Sequence, residues 1–197
     1  MASLCYPGQQ LSLDEFMVLW RGRLVFRQYI KNKRHKYDIK LYILTEPNRI
    51  IGHSIYLDNF YNSFELANKL TSRNTYCTGT LSSKRTNNPK ELVARKLKKG
   101  ESAAVYSNNI MICKRNDKRE VLYISNEHQN NMVEVVDRRN RTKQKPLPIL
   151  QYNKYMGGVD DQDQVNSYYP CDRKTLRWYK KLGIHFIQLM LLNSYFF

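Results

Sequence analysis

Residues 37–46, "YDIKLYILTE", alternate apolar and polar side chains and set Ile39, Leu41 and Ile43 on one side. A period of two predicts a strand with one buried face. Residues 11–20, "LSLDEFMVLW", alternate more weakly and run into "RGRLVFRQYI", so a first strand precedes it, and the basic connector "KNKRHK" reads as a solvated loop. "IIGHSIYLDNFY" (50–61) is a further strand rich in β-branched and aromatic residues, ending at Asp58-Asn59. In "NSFELANKLTSR" the period changes, and Phe64, Leu66, Ala67 and Leu70 suit one helical face before "NTYCTGTL" returns to strand character. Strand, helix, strand in this order predicts an α/β unit.

From Ser82 to about Lys145 the pattern shifts. "KRTNNPKELVARKLKKGES" is basic and partly helical, whereas "AAVYSNNIMICKRNDKREVLYISNE" and "NMVEVVDRR" predict short antiparallel strands, closed by the charges and prolines of "RRNRTKQKPLP". This segment reads as an inserted β-rich subdomain. The final stretch, "TLRWYKKLGIHFIQLMLLNSYFF", predicts a long buried helix that groups Leu182, Phe186, Leu189, Met190 and Asn193. Its apolar part is interrupted by His185, Gln188 and Asn193 and is too short to span a bilayer. At 197 residues, one well-cored domain is expected.

Charge narrows the partners. Lys and Arg outnumber Asp and Glu by 33 to 17, a formal +16, which favours a polyanion and places nucleic acid ahead of membrane. The N-terminus lacks a basic region and a sustained apolar core, so no signal peptide is expected and a reducing, intracellular setting follows. Cys5, Cys77, Cys113 and Cys171 are widely spaced and form no C-x-x-C pair, so they read as ordinary thiols rather than zinc ligands or a disulfide framework.

Against this basic background, acids gather at a few places. Asp14 lies in the first strand, Asp58 at a strand tip, and Asp160 with Asp163 in "YNKYMGGVDDQDQ" before a helix. Each has an ordinary alternative: Asp58 as a cap for the next helix, Asp160 as an N-cap with Asp163 at N3, and Gly157-Gly158 as a plain loop. Together they suit a divalent metal beside a phosphate backbone. Mg²⁺ prefers oxygen ligands and takes one or two carboxylates, and two such ions serve in-line phosphoryl transfer. Basic side chains then supply a sequence-independent grip on DNA.

At these residues the chain resembles the piggyBac-type transposases and their host-domesticated relatives, a branch of the DDE/D enzymes. "LDEFMVLWRGRLVFRQYIKNKRHKYDIKLYIL", "YLDNFYNSFELANKL" and "YNKYMGGVDDQDQVNSYYPCDRKTLRWYKKLGIHFIQLMLLNSY" resemble the family's blocks in order and cover most of the chain. The resemblance implies an α/β, RNase H-like core over about 11–81 and 148–197, with a basic β-rich insertion over about 82–147. It implies that Asp14, Asp58 and Asp160 are the catalytic, metal-binding triad with Asp163 as a fourth acid, holding two Mg²⁺ or Mn²⁺ ions. Asp161 falls on a variable position. Lys84, Arg85, Arg95, Lys96, Lys98 and Lys99 are the implied phosphate contacts in the insertion. The implied partners are transposon ends and target DNA, typically at TTAA. A homodimer in full-length relatives and a nuclear location also follow from the family, and no membrane role does.

The chain departs from that pattern in four places. An RNase H-like core has a third strand and a helix before the strand carrying the second aspartate, yet only "TEPNR" lies between Leu44 and Ile50. A crossover helix alone needs about a dozen residues, so the core is expected to be incomplete through an internal deletion, which exposes a sheet edge. The chain begins almost at Asp14 and stops at Phe197, so the family's N-terminal DNA-binding region and C-terminal zinc module are expected to be absent. Asp38 stands where the family has Gly. Two functional classes result: a metal-dependent DNA transposase catalytic domain, or an inactive domesticated or decayed remnant that binds DNA. A skipped exon is a third account of the gap.

Overall fold

The computed structural model describes residues 10–20, 22–26, 28–29, 37–48, 53–136, 140, 142–157, 164–165, 168 and 177–196. In chain order they form β1 (Gln10–Leu19), β2 (Gln28–Tyr29), β3 (Tyr37–Asn48), β4 (Ser54–Leu57), α1 (Phe64–Thr71) and β5 (Tyr76–Thr80). There follow α2 (Lys90–Ala94), β6 (Ser102–Ser107), β7 (Ile110–Asn116), β8 (Glu120–Ser125), β9 (Met132–Val136), β10 (Thr142–Pro146), α3 (Leu147–Tyr155) and α4 (Trp178–Phe196). The chain divides into two compact units, Met1–Asp14 with Leu44–Gly158, and Glu15–Ile43 with Val159–Phe197.

The first unit is built on a mixed sheet in the order β1-β4-β5-β8-β7-β6. β1, β4 and β5 are parallel, and β5, β8, β7 and β6 are antiparallel neighbours. Strands of the basic segment thus continue the sheet directly from β5, through the register Thr78↔Ser125 and Gly79↔Ile124.

Both faces of this sheet are covered, which explains the unbroken apolar run "IMIC" in β7. Ile110, Ile112, Leu122 and Ile124 pack with Leu57, Ala67, Leu81 and Leu92, joined by Phe64, Leu66 and Leu70 of α1 and Val93 of α2. The intervening Met111, Cys113 and Tyr123 pack on the opposite face against Ile149 of α3. Burial pushes the Cys77 thiol up to about 12, with Glu127 adding to the shift, and Cys77 and Cys113 are both free and buried.

α1 starts where a side chain can close its first turn. Ser63 Oγ accepts from Leu66 N at 3.1 Å, so Ser63, and not Asp58, is the cap. Thr71 Oγ1 closes the other end on the Ala67 carbonyl, 2.8 Å.

Short α2 is held by a buried lysine. Lys114, 5 % exposed, donates from Nζ to the carbonyls of Val93 (2.9 Å) and Arg95 (2.7 Å) and pairs with Glu120 at 3.0 Å. Lys114→Met keeps the aliphatic stem but strands those carbonyls, and is expected to cost about 2–3 kcal/mol. A urea midpoint equal to wild type would contradict it.

In the second unit, Phe16, Val18 and Ile39 form a small core with Trp20, Leu24, Leu41, Ile43, Trp178 and Leu182. β2 pairs antiparallel with β3, Gln28↔Asp38 and Tyr29↔Tyr37, and Lys40 Nζ pairs with Glu15 at 2.6 Å. The last helix is less buried than its apolar content predicts. Phe186, Ile187, Met190 and Leu191 are exposed, because its apolar residues ring the helix while Trp178, Leu182 and His185 face this small core.

The His185 ring stacks on Phe16 with centroids 4.6 Å apart, and burial lowers its pKa. The unfolded chain therefore binds a proton more readily than the fold. This contribution to stability is complete above the ordinary histidine pKa of about 6.5 and is lost as pH falls through the lower folded value. Acid unfolding should thus shift to lower pH in His185→Phe, read by tryptophan fluorescence, and an unchanged acid midpoint would contradict this.

Candidate functional site

The registers of three parallel strands bring the first two predicted acids together. Leu13 of β1 pairs with Leu57 of β4, and Leu57 pairs with Gly79 of β5. One residue further along each strand stand Asp14, Asp58 and Thr80, so the three share one level on adjacent strands about 4.8 Å apart. The strands are parallel, so this level lies at the carboxyl ends of β4 and β5, where open α/β sheets place ligands, and midway along the longer β1. Leu13 and Leu57 point to the α1 face, and alternation sends Asp14 and Asp58 to the α3 face.

Asp58 is fixed by short-range bonds. Its Oδ1 accepts from Asn59 N at 2.6 Å and from Thr80 Oγ1 at 3.0 Å, while its carbonyl accepts from Tyr61 N and Asn62 N, both 3.1 Å. Both side-chain bonds fall on Oδ1, leaving Oδ2 without a hydrogen bond among the described residues. Asp14 and Asp58 are each half-buried.

Across the acids lies Tyr152, projected from α3. Burial, the carboxylates of Asp58 and Asp14, and an opposing hydrogen bond with the Thr80 side chain together hold its phenol above the ordinary tyrosine pKa. Thr80 thus touches both Asp58 and Tyr152. The sequence singled out neither partner. Thr80 carries no motif until the β4–β5 register is known, and Tyr152 opens the quoted acidic block without a role of its own.

Asp160 and Asp163, with Asp161, lie outside the described residues, as does any N-cap role for them. Among the described residues no group of three or more His, Cys, Asp and Glu side chains gathers. The donor chemistry nevertheless fits a hard divalent ion: two carboxylates at one level, one with an oxygen open to a ligand, match the one or two that Mg²⁺ takes from a protein.

The predicted basic residues are exposed around α2 and the loop before it. The Arg85 guanidinium donates to the Phe60 carbonyl, two residues past Asp58. Arg95 lies 3.9 Å from Glu101, whose other oxygen accepts from Lys98 N at 2.9 Å. Lys84, Lys96, Lys98 and Lys99 present their ammonium ends to solvent.

Thr80→Val keeps the shape of the side chain and removes its hydroxyl from Asp58 and Tyr152. If these carboxylates hold a metal, orientation by Thr80 supports them, and Mn²⁺ affinity should fall about 10- to 100-fold. Calorimetric titration with Mn²⁺ measures it, and unchanged affinity would show that the hydroxyl orients nothing.

A family model described as Transposase IS4 matches residues 1–52 and 44–195. The chain is 22 % identical over 233 aligned residues to the human PiggyBac transposable element-derived protein 3, covering 93 % of this chain and 39 % of that protein. The human Chimeric ERCC6-PGBD3 protein matches over the same length at 22 % identity, with 22 % of its length covered. Among solved structures, the fold is similar to a chain of the piggyBac transposase synaptic complex with hairpin DNA, determined by cryo-EM, at a TM-score of 0.76 and 26 % identity. That match covers 91 % of this chain and 45 % of the other. The chain therefore spans less than half the length of each of these proteins.

Proposed function

The chain belongs to the Transposase IS4 family, as a domain of piggyBac type, and from that membership we propose that it is the catalytic domain of a metal-dependent DNA strand-cleaving and strand-transferring enzyme. The observation that carries this reading is the shared level of Asp14, midway along β1, and Asp58, at the carboxyl end of β4. Asp160 and Asp163 complete the acid set in this proposal, as the family motif implies, and Asp14, Asp58, Asp160 and Asp163 hold two Mg²⁺ or Mn²⁺ ions. Such ions, when bound, activate an attacking oxygen and offset charge on the leaving one. The chain's own part is to hold carboxylates rigidly: Thr80 and Asn59 N–H fix Asp58, and Tyr152 closes the site on the α3 side. Lys84, Arg85, Arg95, Lys96, Lys98 and Lys99 grip DNA phosphates, and the protein works in the nucleus. DNA as partner is supported by the solved relative, which is a complex with hairpin DNA.

A second reading, a DNA-binding remnant without turnover, is favoured by one region. The two family matches meet at residues 44–52. There only five residues separate the end of β3 at Asn48 from the start of β4 at Ser54. The alignment to the human relative also runs over 233 residues against 197 in this chain. These three facts support an RNase H-like core shortened by an internal deletion.

Mn²⁺-dependent nicking and strand transfer on labelled DNA separates the two. Nicking lost in Asp58→Ala supports the enzyme. Salt-sensitive DNA binding by the folded chain without nicking supports the remnant, and neither binding nor nicking rejects both.

A further inference from the structure

The unit that carries Asp14 and Asp58 also holds a cleft of about 770 Å³, and its charge is one-sided. Arg115 of β7, Arg119 of the β7–β8 turn, and Lys143 and Lys145 of β10 line it, against the single carboxylate of Asp117. Lys143 and Lys145 stand two apart on a strand and so share a face. Arg115 is half-buried and already placed, because its guanidinium donates to the Gln144 carbonyl (3.3 Å) and lies against Met132 Sδ (3.6 Å). Arg115, Arg119 and Lys145 form no ion pair with a carboxylate among the described residues. Four cations lining one cleft with a single acidic lining residue create a positive potential there, which an anion relieves.

Two further features choose the anion. The cleft is also lined by Thr80 and Tyr152, the side chains that meet Asp58, so the cations line a route to the acids. Val121 and Ile149 give it an apolar lining, against which sugars and bases can pack. Four cations from three separate elements match successive phosphates better than one.

We propose that this cleft is the track that holds a DNA strand as it enters the acid site, with Arg115, Arg119, Lys143 and Lys145 on its phosphates. The inference rests on the DNA reading above. It adds a track distinct from the basic residues around α2, and none of its four cations is among the phosphate contacts that the resemblance implies.

The test is anisotropy of labelled single-stranded and duplex DNA, in chelator so that metal binding does not contribute, across a salt series. Arg119→Gln/Lys143→Gln/Lys145→Gln leaves the Arg115 tie intact and is expected to weaken duplex binding about 10- to 100-fold. The slope of log affinity on log salt should shrink by about 0.9 for each duplex phosphate that is no longer neutralised, or about 0.7 for a single strand. Lys69→Gln/Arg73→Gln, on exposed positions of α1 and the turn after it, should leave both unchanged. Wild-type affinity and slope in the triple variant would overturn the track while leaving the DNA reading standing. Saturation of the cleft by a mononucleotide that displaces DNA would replace the track with a nucleotide pocket. Failure of the wild-type chain to bind any DNA would instead remove the reading on which the track rests.

Discussion

Gly79→Ala is expected to lower stability by about 3 kcal/mol, or about 10 °C in Tm. A Cβ at Gly79 would lie 1.9 Å from the Leu57 carbonyl oxygen, 2.9 Å from its carbonyl carbon and 2.7 Å from Asn62 Nδ2. Two of these three atoms are backbone of the paired strand, so relief requires β4 and β5 to part. Asn62 is fully buried and offers little room. Gly100→Ala is the informative comparison: at φ +86° with nothing within 4 Å, it meets only the left-handed penalty, about 1–2 kcal/mol. The measurement is paired urea unfolding of the two variants. Equal losses, or none at Gly79, would mean that β4 and β5 do not approach so closely, and the common level of Asp58 and Thr80 would fall with that approach.

Asp58→Ala is expected to reduce Mn²⁺-dependent nicking by about a thousandfold or more, since losing about 4 kcal/mol of charge stabilisation has that effect. The fold should tolerate the change. Asp58 is half-buried, Ser63 caps α1 without it, and the turn bonds to Tyr61 N and Asn62 N come from its backbone carbonyl. DNA affinity in chelator should therefore hold while turnover disappears. Asp14→Ala should behave alike, because Asp14 occupies the same level one strand away. A variant that nicks DNA at the wild-type rate would remove Asp58 from the chemistry.

Much of the core is legible in the sequence because period two is a local signal. Ile39, Leu41 and Ile43 share a face in the structure as their alternation predicts, and α1 packs through Phe64, Leu66, Ala67 and Leu70. α3 is not legible. Pro146 and Pro148 read as loop punctuation, yet they occupy the N-cap and first turn, where a missing N–H costs a helix nothing. With α3 goes Tyr152, and with β10, which reads as a charged closing loop, go Lys143 and Lys145. Thr80 is hidden for another reason, since its partners at Asp58 and Tyr152 are set by strand register and not by neighbours in sequence. The strand expected over 50–61 stops at Leu57, because Asp58–Tyr61 form a turn whose aromatics resemble strand residues. For α4 the apolar content is plain but not its burial, which depends on what packs around a helix rather than on the helix itself.

Asp14 and Asp58 acting together as ligands of a divalent ion is the central claim. Mn²⁺ binding to the chain, followed by electron paramagnetic resonance in the wild type, Asp14→Ala and Asp58→Ala, tests it without requiring turnover. A bound Mn²⁺ signal is predicted in the wild type, weakening strongly in either variant. Equal Mn²⁺ binding by all three proteins, or none by the folded wild-type chain, would contradict it.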